Sequence, residues 1–318
     1  MEFVLKRVCT AFVTMFLVSV FCFFAFSVIR GDPASVLAGT DATAEQIAAL
    51  RAEMGLDGNI FLRYAQWLGR FFSGNLGYSL RFLGQPITPM ILQRLPVTFS
   101  LAGLALFLTV VISFPVSLWA ARREGGIVDR AVSVFTAAGI GIPGFFLGLI
   151  FIWIFGLWAR LFIPGVFISA GESLSGFIRS LFFPALAIAI PNSAIMVKFL
   201  RASLLKELES DYARTARSKG AGYFFILRRH VLRNALVPAV TVLAMIVAET
   251  FSGSIIIEQV FTIHGVGMLL IAAISSRDYP VVQTLVVYIA FIVILANTLA
   301  DIAIQIIDPR IRLEKHDD

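Results

Sequence analysis

Charge is scarce in this 318-residue sequence, and so are the side chains that usually carry chemistry. Asp, Glu, Lys and Arg make up 14% of it, against about 25% in soluble domains, while hydrophobic residues reach 58% against about 45–50%. Together with a mean hydropathy of +0.89, this excludes a soluble enzyme, a disordered chain and a disulfide-stapled secreted domain. The two cysteines, Cys9 and Cys22, both lie inside the first apolar run, which reads as buried thiols rather than a disulfide or a metal site. The three histidines, His230, His264 and His316, are far apart, and no HExxH occurs. No GxxxxGK[ST] is present, so the chain has no phosphate loop of its own; GxSxG and closely spaced carboxylate pairs are also missing from the apolar runs. A literal GxGxxG at Gly139, Gly141 and Gly144 sits within an apolar run, with neither a soluble strand before it nor an acidic residue after it to take a ribose. It reads instead as close helix contact, with Gly144 and Gly148 in GxxxG spacing and Pro143 permitting a kink. The net charge of +6 comes from 26 Lys and Arg scattered between apolar runs, which do not form the single basic face that nucleic acid needs.

What is abundant is long apolar runs. Crossing roughly 30 Å of hydrocarbon at about 1.5 Å per residue takes about 20 residues. Six stretches meet or approach this: Val8 to Ile29, Leu95 to Ala121, Ala131 to Ala159, Ser180 to Val197, Leu236 to Ile257 and Tyr279 to Ile307. The expected fold is therefore an all-α polytopic membrane protein with six spans. A secretory signal is the rival reading of the first run, because Lys6 and Arg7 precede it; the run exceeds the usual core of a signal and ends without a small-residue cleavage pattern, which favours a retained helix. With the N-terminus placed inside, seventeen Lys and Arg fall on the inner side against nine outside, and all five lysines are inside. Cationic residues collect on the cytoplasmic side, so both termini are expected there.

This divides the chain into a tail and first span over 1–30, an external segment over 31–94 and a core over 95–318. In the external segment Thr43 and Gln46 form a capping-box pattern ahead of a short helix from Ala44 to Met54 closed by Gly55. A second helix is expected from Ile60 to Phe72, carrying Tyr64, Trp67, Phe71 and Phe72. It reads either as an amphipathic cap on the membrane surface or as a docking surface for an external partner. The cytoplasmic segment 198–235 is dense in charge, yet carries Leu200, Leu204, Leu205 and Leu208 and then Tyr223 to Leu227. Two short helices meeting at a turn on Gly220 fit that pattern. A basic segment held against anionic lipid is the plainer alternative, but it leaves the apolar residues unexplained; these need a protein partner. Ionisable residues inside spans are functional candidates by default. Glu249 and Asp301, with Asn192 and Asn297 as polar companions, are candidates for a translocation path. For Glu249 a carboxyl satisfied by a neighbouring helix is the alternative, and for Asp301, near the inner end, a structural hydrogen bond or interfacial ion pair is favoured. Glu258, at the outer boundary, suggests no special role.

These residues resemble the permease subunits of binding-protein-dependent ABC importers, specifically the B-type subunit of the peptide/nickel class. The resemblance runs from Leu5-Lys6-Arg7 to Asp308-Pro309-Arg310-Ile311-Arg312. It rests on Gly31-Asp32-Pro33, Glu45-Gln46-Ile47 to Met54-Gly55-Leu56, Arg94-Leu95-Pro96-Val97-Thr98, Leu200-Arg201-Ala202-Ser203-Leu204 and Arg277-Asp278-Tyr279-Pro280-Val281-Val282-Gln283. Most of all it rests on Asp211-Tyr212-Ala213-Arg214-Thr215-Ala216-Arg217-Ser218-Lys219-Gly220, which looks like the cytoplasmic EAA loop that engages the ATPase. Laid on that pattern, Arg214, Thr215 and Ala216 stand at the EAA positions, Gly220 at the glycine, and His230, Val231, Leu232 and Arg233 at IxLP. Arg214 and Arg233 depart from the broad pattern in the way the B-type branch does, and His264 replaces the usual Pro of an FxxPGxG stretch.

The resemblance implies a type I importer permease in a bacterial cytoplasmic membrane. Its implied partners are a second, C-type permease, two cytoplasmic ATP-binding subunits that hold ATP and Mg, and an external substrate-binding protein. The chain itself would bind no cofactor and catalyse nothing; its cargo would be peptides or related solutes, with nickel or a metal chelate as further options. Two other classes are weighed against this. A secondary transporter or channel predicts inverted repeats and broken helices at matched positions, and no such halves are evident. An intramembrane enzyme using Glu249 or Asp301 lacks a second catalytic group.

Overall fold

The structure is a computed structural model that describes residues 2–28, 33–38, 42–53, 58–81 and 85–307. Gly31-Asp32, the Met54-Gly55-Leu56 stretch and Asp308 to Arg312 lie outside the described residues, together with the readings placed on them. Fourteen α-helices are described: α1 (Glu2–Val28), α2 (Pro33–Ala38), α3 (Ala44–Glu53), α4 (Ile60–Phe72), α5 (Ile87–Leu92), α6 (Leu95–Arg122), α7 (Ile127–Gly141), α8 (Gly144–Phe151), α9 (Leu174–Leu208), α10 (Asp211–Ser218), α11 (Tyr223–Ile226), α12 (Leu232–Val260), α13 (Val266–Ser275) and α14 (Tyr279–Ile307). Short π-helical turns, Ile152–Trp158 and Leu227–Val231, extend α8 and join α11 to α12. Among the described residues the only β pairing is an isolated bridge between Tyr78 and Pro86.

Among the described residues five helices are long and apolar enough to cross a membrane: α1, α6, α9, α12 and α14. The sixth candidate is a pair, α7 and α8, bent by 100°. Pro143 lacks an N–H and its ring disfavours helical geometry in the residue before it, and Ile142 is accordingly extended at φ −96°, ψ 118°. The helices also outrun the apolar runs. The run Ser180 to Val197 lies within α9, which continues through Lys198 to Leu208 without a break, because a helix leaving hydrocarbon keeps its internal hydrogen bonds.

The chain divides into two compact units, residues 1–97 with 264–294 and residues 98–263 with 295–318. In the first unit the capping box is formed: the Thr43 N–H donates to Gln46 Oε1 at 3.0 Å and the Gln46 N–H to Thr43 Oγ1 at 3.3 Å. Helix α4 lays Tyr64 and Trp67 against Phe16, Phe23 and Phe24 of α1, with ring centroids 5.3–6.4 Å apart, and the Tyr64 hydroxyl lies 2.8 Å from that of Ser19. Tyr64 and Trp67 are thus half-buried against α1, while Phe72 stays exposed. On α1, Cys22 is buried as expected, whereas Cys9 is exposed: it shares the face of Phe16 and Phe23 but stands two turns before Phe16, the first of the residues paired with Tyr64. A second apolar core joins Ile87, Ile91 and Leu95 to Val266, Leu269, Val281 and Leu285.

Helix α9 is the axis of the second unit. Most of its apolar window is buried, 61% against 17–33% for the other long helices, and it packs on α7, α8 and α12. Gly139 and Gly144 of the GxGxxG stretch and Gly148 beyond it make close contacts here, whereas Gly141 faces open space. A Cβ on Gly139 would lie 2.8 Å from the Ala194 Cβ, one on Gly144 3.2 Å from the Ala187 carbonyl oxygen, and one on Gly148 3.0 Å from the Phe261 ring. Small residues let helix backbones approach in this way, which is the role expected for that stretch in place of nucleotide binding.

Candidate functional site

The charged segment after Val197 is held in place by an apolar seam. Leu200, Leu204 and Leu208 recur every four residues on α9 and are buried against Ala213, Ile226, Leu227, Val231 and Ala235. At the same place the Ser203 hydroxyl donates to the Ala235 carbonyl at 3.0 Å, tying α9 to α12. The apolar residues of this segment therefore divide. The leucines and Ala213 are satisfied within the chain, while Phe224 and Phe225 remain 64% and 54% exposed.

Helix α10 rests on this seam by Ala213, which is fully buried, and turns Asp211, Arg214, Thr215, Arg217 and Lys219 outward. Asp211 stands in its first turn and Arg217 in its last, each favourable to the helix dipole. Arg217 also donates to the Leu208 carbonyl at 3.2 Å, closing the α9–α10 corner. The Tyr212 hydroxyl donates to Glu207 and accepts from Asn234 Nδ2 at 3.2 Å, linking α10 to both flanking helices. The turn after α10 needs its glycine. Gly220 has φ +82°, the Gly220 N–H bonds the Arg217 carbonyl at 3.0 Å, and the Ala221 N–H bonds the Ala216 carbonyl at 3.1 Å. This is the Schellman arrangement, with Ala216 and Ala221 both packed on the seam.

Beyond the turn the predicted second short helix is not separate: α11 runs through the π turn into α12. Its exposed side carries Phe224, Phe225, Arg228 and Arg229, with the Arg122 guanidinium 4.9 Å above the Phe224 ring. His230 is half-buried between Tyr212 and Phe225, at ring distances of 6.4 and 5.9 Å, and Arg233 is exposed. Together these side chains make a basic surface interrupted by two aromatic rings, built on a rigid base.

The polar residues of the spans do not form one cluster. Asn192 is buried and its Nδ2 donates to Thr250 Oγ1 at 3.1 Å, bridging α9 and α12. Glu249, the neighbour of Thr250, is exposed on α12. On α14 Asn297 is exposed and Asp301 half-buried. Among the described residues no group of three His, Cys, Asp or Glu could hold a metal.

Three carboxylates gain partners that the sequence reading did not supply. Asp129, in the first turn of α7, receives Arg201 in a two-point fork, Nε to Oδ1 at 2.5 Å and Nη2 to Oδ2 at 2.7 Å. Asp278 is buried and accepts the Ser79 hydroxyl at 2.5 Å and the N–H groups of Leu80 and Arg81 at 3.1 and 3.2 Å. Glu258 is fully buried, not merely at a boundary, and accepts from Thr98 Oγ1 at 2.6 Å. These pairs are 72, about 200 and 160 residues apart in sequence; the only local signal was that Arg201, Asp278 and Thr98 fall in the stretches that carry the family resemblance.

Known proteins agree with this architecture. Residues 113–313 match the family described as binding-protein-dependent transport system inner membrane component, and residues 1–102 match its N-terminal component. A probable peptide ABC transporter permease of Sinorhizobium fredii is 36% identical over 310 residues, covering 98% of this chain and 99% of the relative. A dipeptide transport system permease of Lactococcus lactis is 32% identical over 312 residues, covering 98% and 99%. Among solved structures, an inward-facing MetNI methionine ABC transporter chain matches with TM-score 0.56 at 19% identity, covering 69% of this chain and 96% of that one, a likeness of fold. By its family match, its full-length relatives and its helical architecture, the chain belongs to the binding-protein-dependent transport system inner membrane components, the permease subunits of ABC importers.

Proposed function

We propose that this permease carries peptides and that residues 198–235 are its docking site for separate ATPase subunits. The observation that carries the proposal is the exposed surface of α10, the Gly220 turn and α11, seated on the buried Leu200-Leu204-Leu208 seam. A lipid-held basic segment would need no such base. Here Asp211, Tyr212, Arg214, Thr215, Arg217, Lys219 and Gly220 form the contact face, Ala213 and Ala216 its inner side, and His230 and Arg233 its far edge. ATP and Mg are held by the ATPases, since this chain has no phosphate loop. A push on α10 is carried along α9 and α12 as whole-helix tilting, the cheapest motion for helices in lipid.

The reading extends to the assembly. Both termini face the cytoplasm, the external segment 31–94 faces a substrate-binding protein, and a second permease completes the path in the bacterial inner membrane. Glu249, exposed on α12, is placed along that path, with Asn297 and Asp301 on α14; Asn192 acts beside it through Thr250. Peptide as cargo rests on what the full-length relatives are named for.

The decisive experiment is a mild-detergent pull-down of the tagged chain from its native membrane, followed by mass spectrometry. Recovery of a second permease and of ATPases bearing GxxxxGK[ST] is expected, and both ATPases should drop out with Gly220→Pro or Arg217→Glu while the chain stays in the membrane. ATPase recovery unchanged in both variants would remove the coupling assignment.

A further inference from the structure

Helices α7 and α9 meet along one line. Three α9 residues that touch the bent pair, Ala187, Ala194 and Arg201, are seven residues apart, which is two turns and therefore one face. Their counterparts are Gly144 at the bend and Gly139 and Asp129 on α7, so α7 runs antiparallel to α9. Two of these three contacts are close approaches of small residues. Such contacts are non-directional and allow one helix to slide or roll on the other.

The third is different in kind. The Arg201 guanidinium grips both oxygens of Asp129, and the Asp129 carboxylate also accepts the Gly125 N–H at 3.0 Å, in the α6–α7 turn, where Gly125 has φ +68°. A planar fork on a carboxylate fixes distance and angle together. The carboxylate side chain is 7% exposed and the arginine side chain 25%, so water competes little at the acid and modestly at the base. The fork also stands where motion would enter. Arg201 is two turns before Leu208, whose carbonyl receives Arg217 from α10.

We propose that Asp129 and Arg201 are positioning residues that lock the bent pair to α9, so that displacement of the ATPase-facing segment reaches the break at Pro143 without slippage. This rests on the coupling role proposed for residues 198–235. The fork sets the register along the helix axis, and the glycine contacts set the spacing. Without it α9 moves and α7 lags.

The test uses the complex purified with its ATPases, in a background with Cys9→Ser and Cys22→Ala. Spin labels are placed at Val134 on α7 and Lys206 on α9, both exposed. Electron-spin distance measurements with and without ATP plus vanadate report whether the two helices move as one body. The expected result is a single distance, unchanged by nucleotide, in the parent, and with Asp129→Asn a distribution about twofold wider that shifts with nucleotide by the ~2 Å of a helix slide. The swap Asp129→Arg with Arg201→Asp should restore the parent behaviour. A parent distance that itself shifts with nucleotide overturns the lock, and so does an Asp129→Asn distance identical to the parent's. Should Asp129→Asn fail to assemble, the swapped pair decides: assembly restored with a nucleotide-invariant distance supports the lock, and assembly restored with a shifting distance reduces the fork to a folding staple. A label at Ser218 measured against the ATPase separates the two readings. If nucleotide leaves that distance unchanged too, the coupling role fails rather than the lock.

Discussion

Replacing Gly220 isolates the conformational demand of the turn from every contact it makes. A Cβ built on Gly220 meets nothing within 4 Å, so a small side chain adds no clash. What it adds is strain, because φ is +82° and an L-residue in the left-handed region costs about 1–2 kcal/mol. Asparagine is the exception, since it tolerates that region. If the turn must be formed for the ATPase to dock, Gly220→Ala should weaken docking by up to that strain, roughly 5- to 30-fold in Kd. Gly220→Asn should stay within about threefold of the parent. The assay is titration of purified ATPase onto the chain in lipid nanodiscs. Hydrogen exchange at Ala221 reads the same turn without any partner, because its N–H is held by the Ala216 carbonyl and loses protection if the turn opens. Equal affinities for the Ala and Asn variants would show that φ at residue 220 does not govern docking, and the argument would fall.

Asp278→Asn replaces a carboxylate that accepts three hydrogen bonds by an amide with one acceptor oxygen. Leaving a buried donor unmade costs about 1–3 kcal/mol, so trypsin added outside should cut at Arg81 roughly 5- to 150-fold faster, and an unchanged rate would show that the loop is held by other means. Glu249→Gln removes a charge exposed on a spanning helix; uptake of lysine-containing tripeptides should fall by about tenfold relative to trialanine, and an unchanged ratio would assign Glu249 a structural role.

Local chemistry made much of the architecture legible. The capping box at Thr43 and Gln46, the helix from Ile60 to Phe72 and the kink at Pro143 each follow from side chains within a few residues, and each is formed where the sequence places it. Helix ends beyond the apolar runs were less legible. The apolar run of α9 stops at Lys198 because the hydrocarbon stops, but the backbone carries its hydrogen bonds on to Leu208. The second short helix proved continuous with α12 through a π turn, which no residue between Leu227 and Val231 forbids. That Tyr64 and Trp67 of α4 pair with α1 was not legible, since aromatic pairing between two helices depends on their approach and not on either sequence alone.

The sequence by itself determined the medium, the number of long apolar runs and the absence of a phosphate loop, because these depend on composition and on motifs read in a single stretch. It also determined Gly220, because a turn with positive φ following a helix selects for glycine within four or five residues. Only the tertiary structure decided which charges are paired. Asp129 meets Arg201, Asp278 meets Ser79, and Glu258 meets Thr98 across separations at which a sequence carries no distance information, while Glu249 remains exposed one residue from a buried threonine. A carboxylate in an apolar chain must find a donor or face a polar surface, and which of the two it does is settled by where packing brings the helices together.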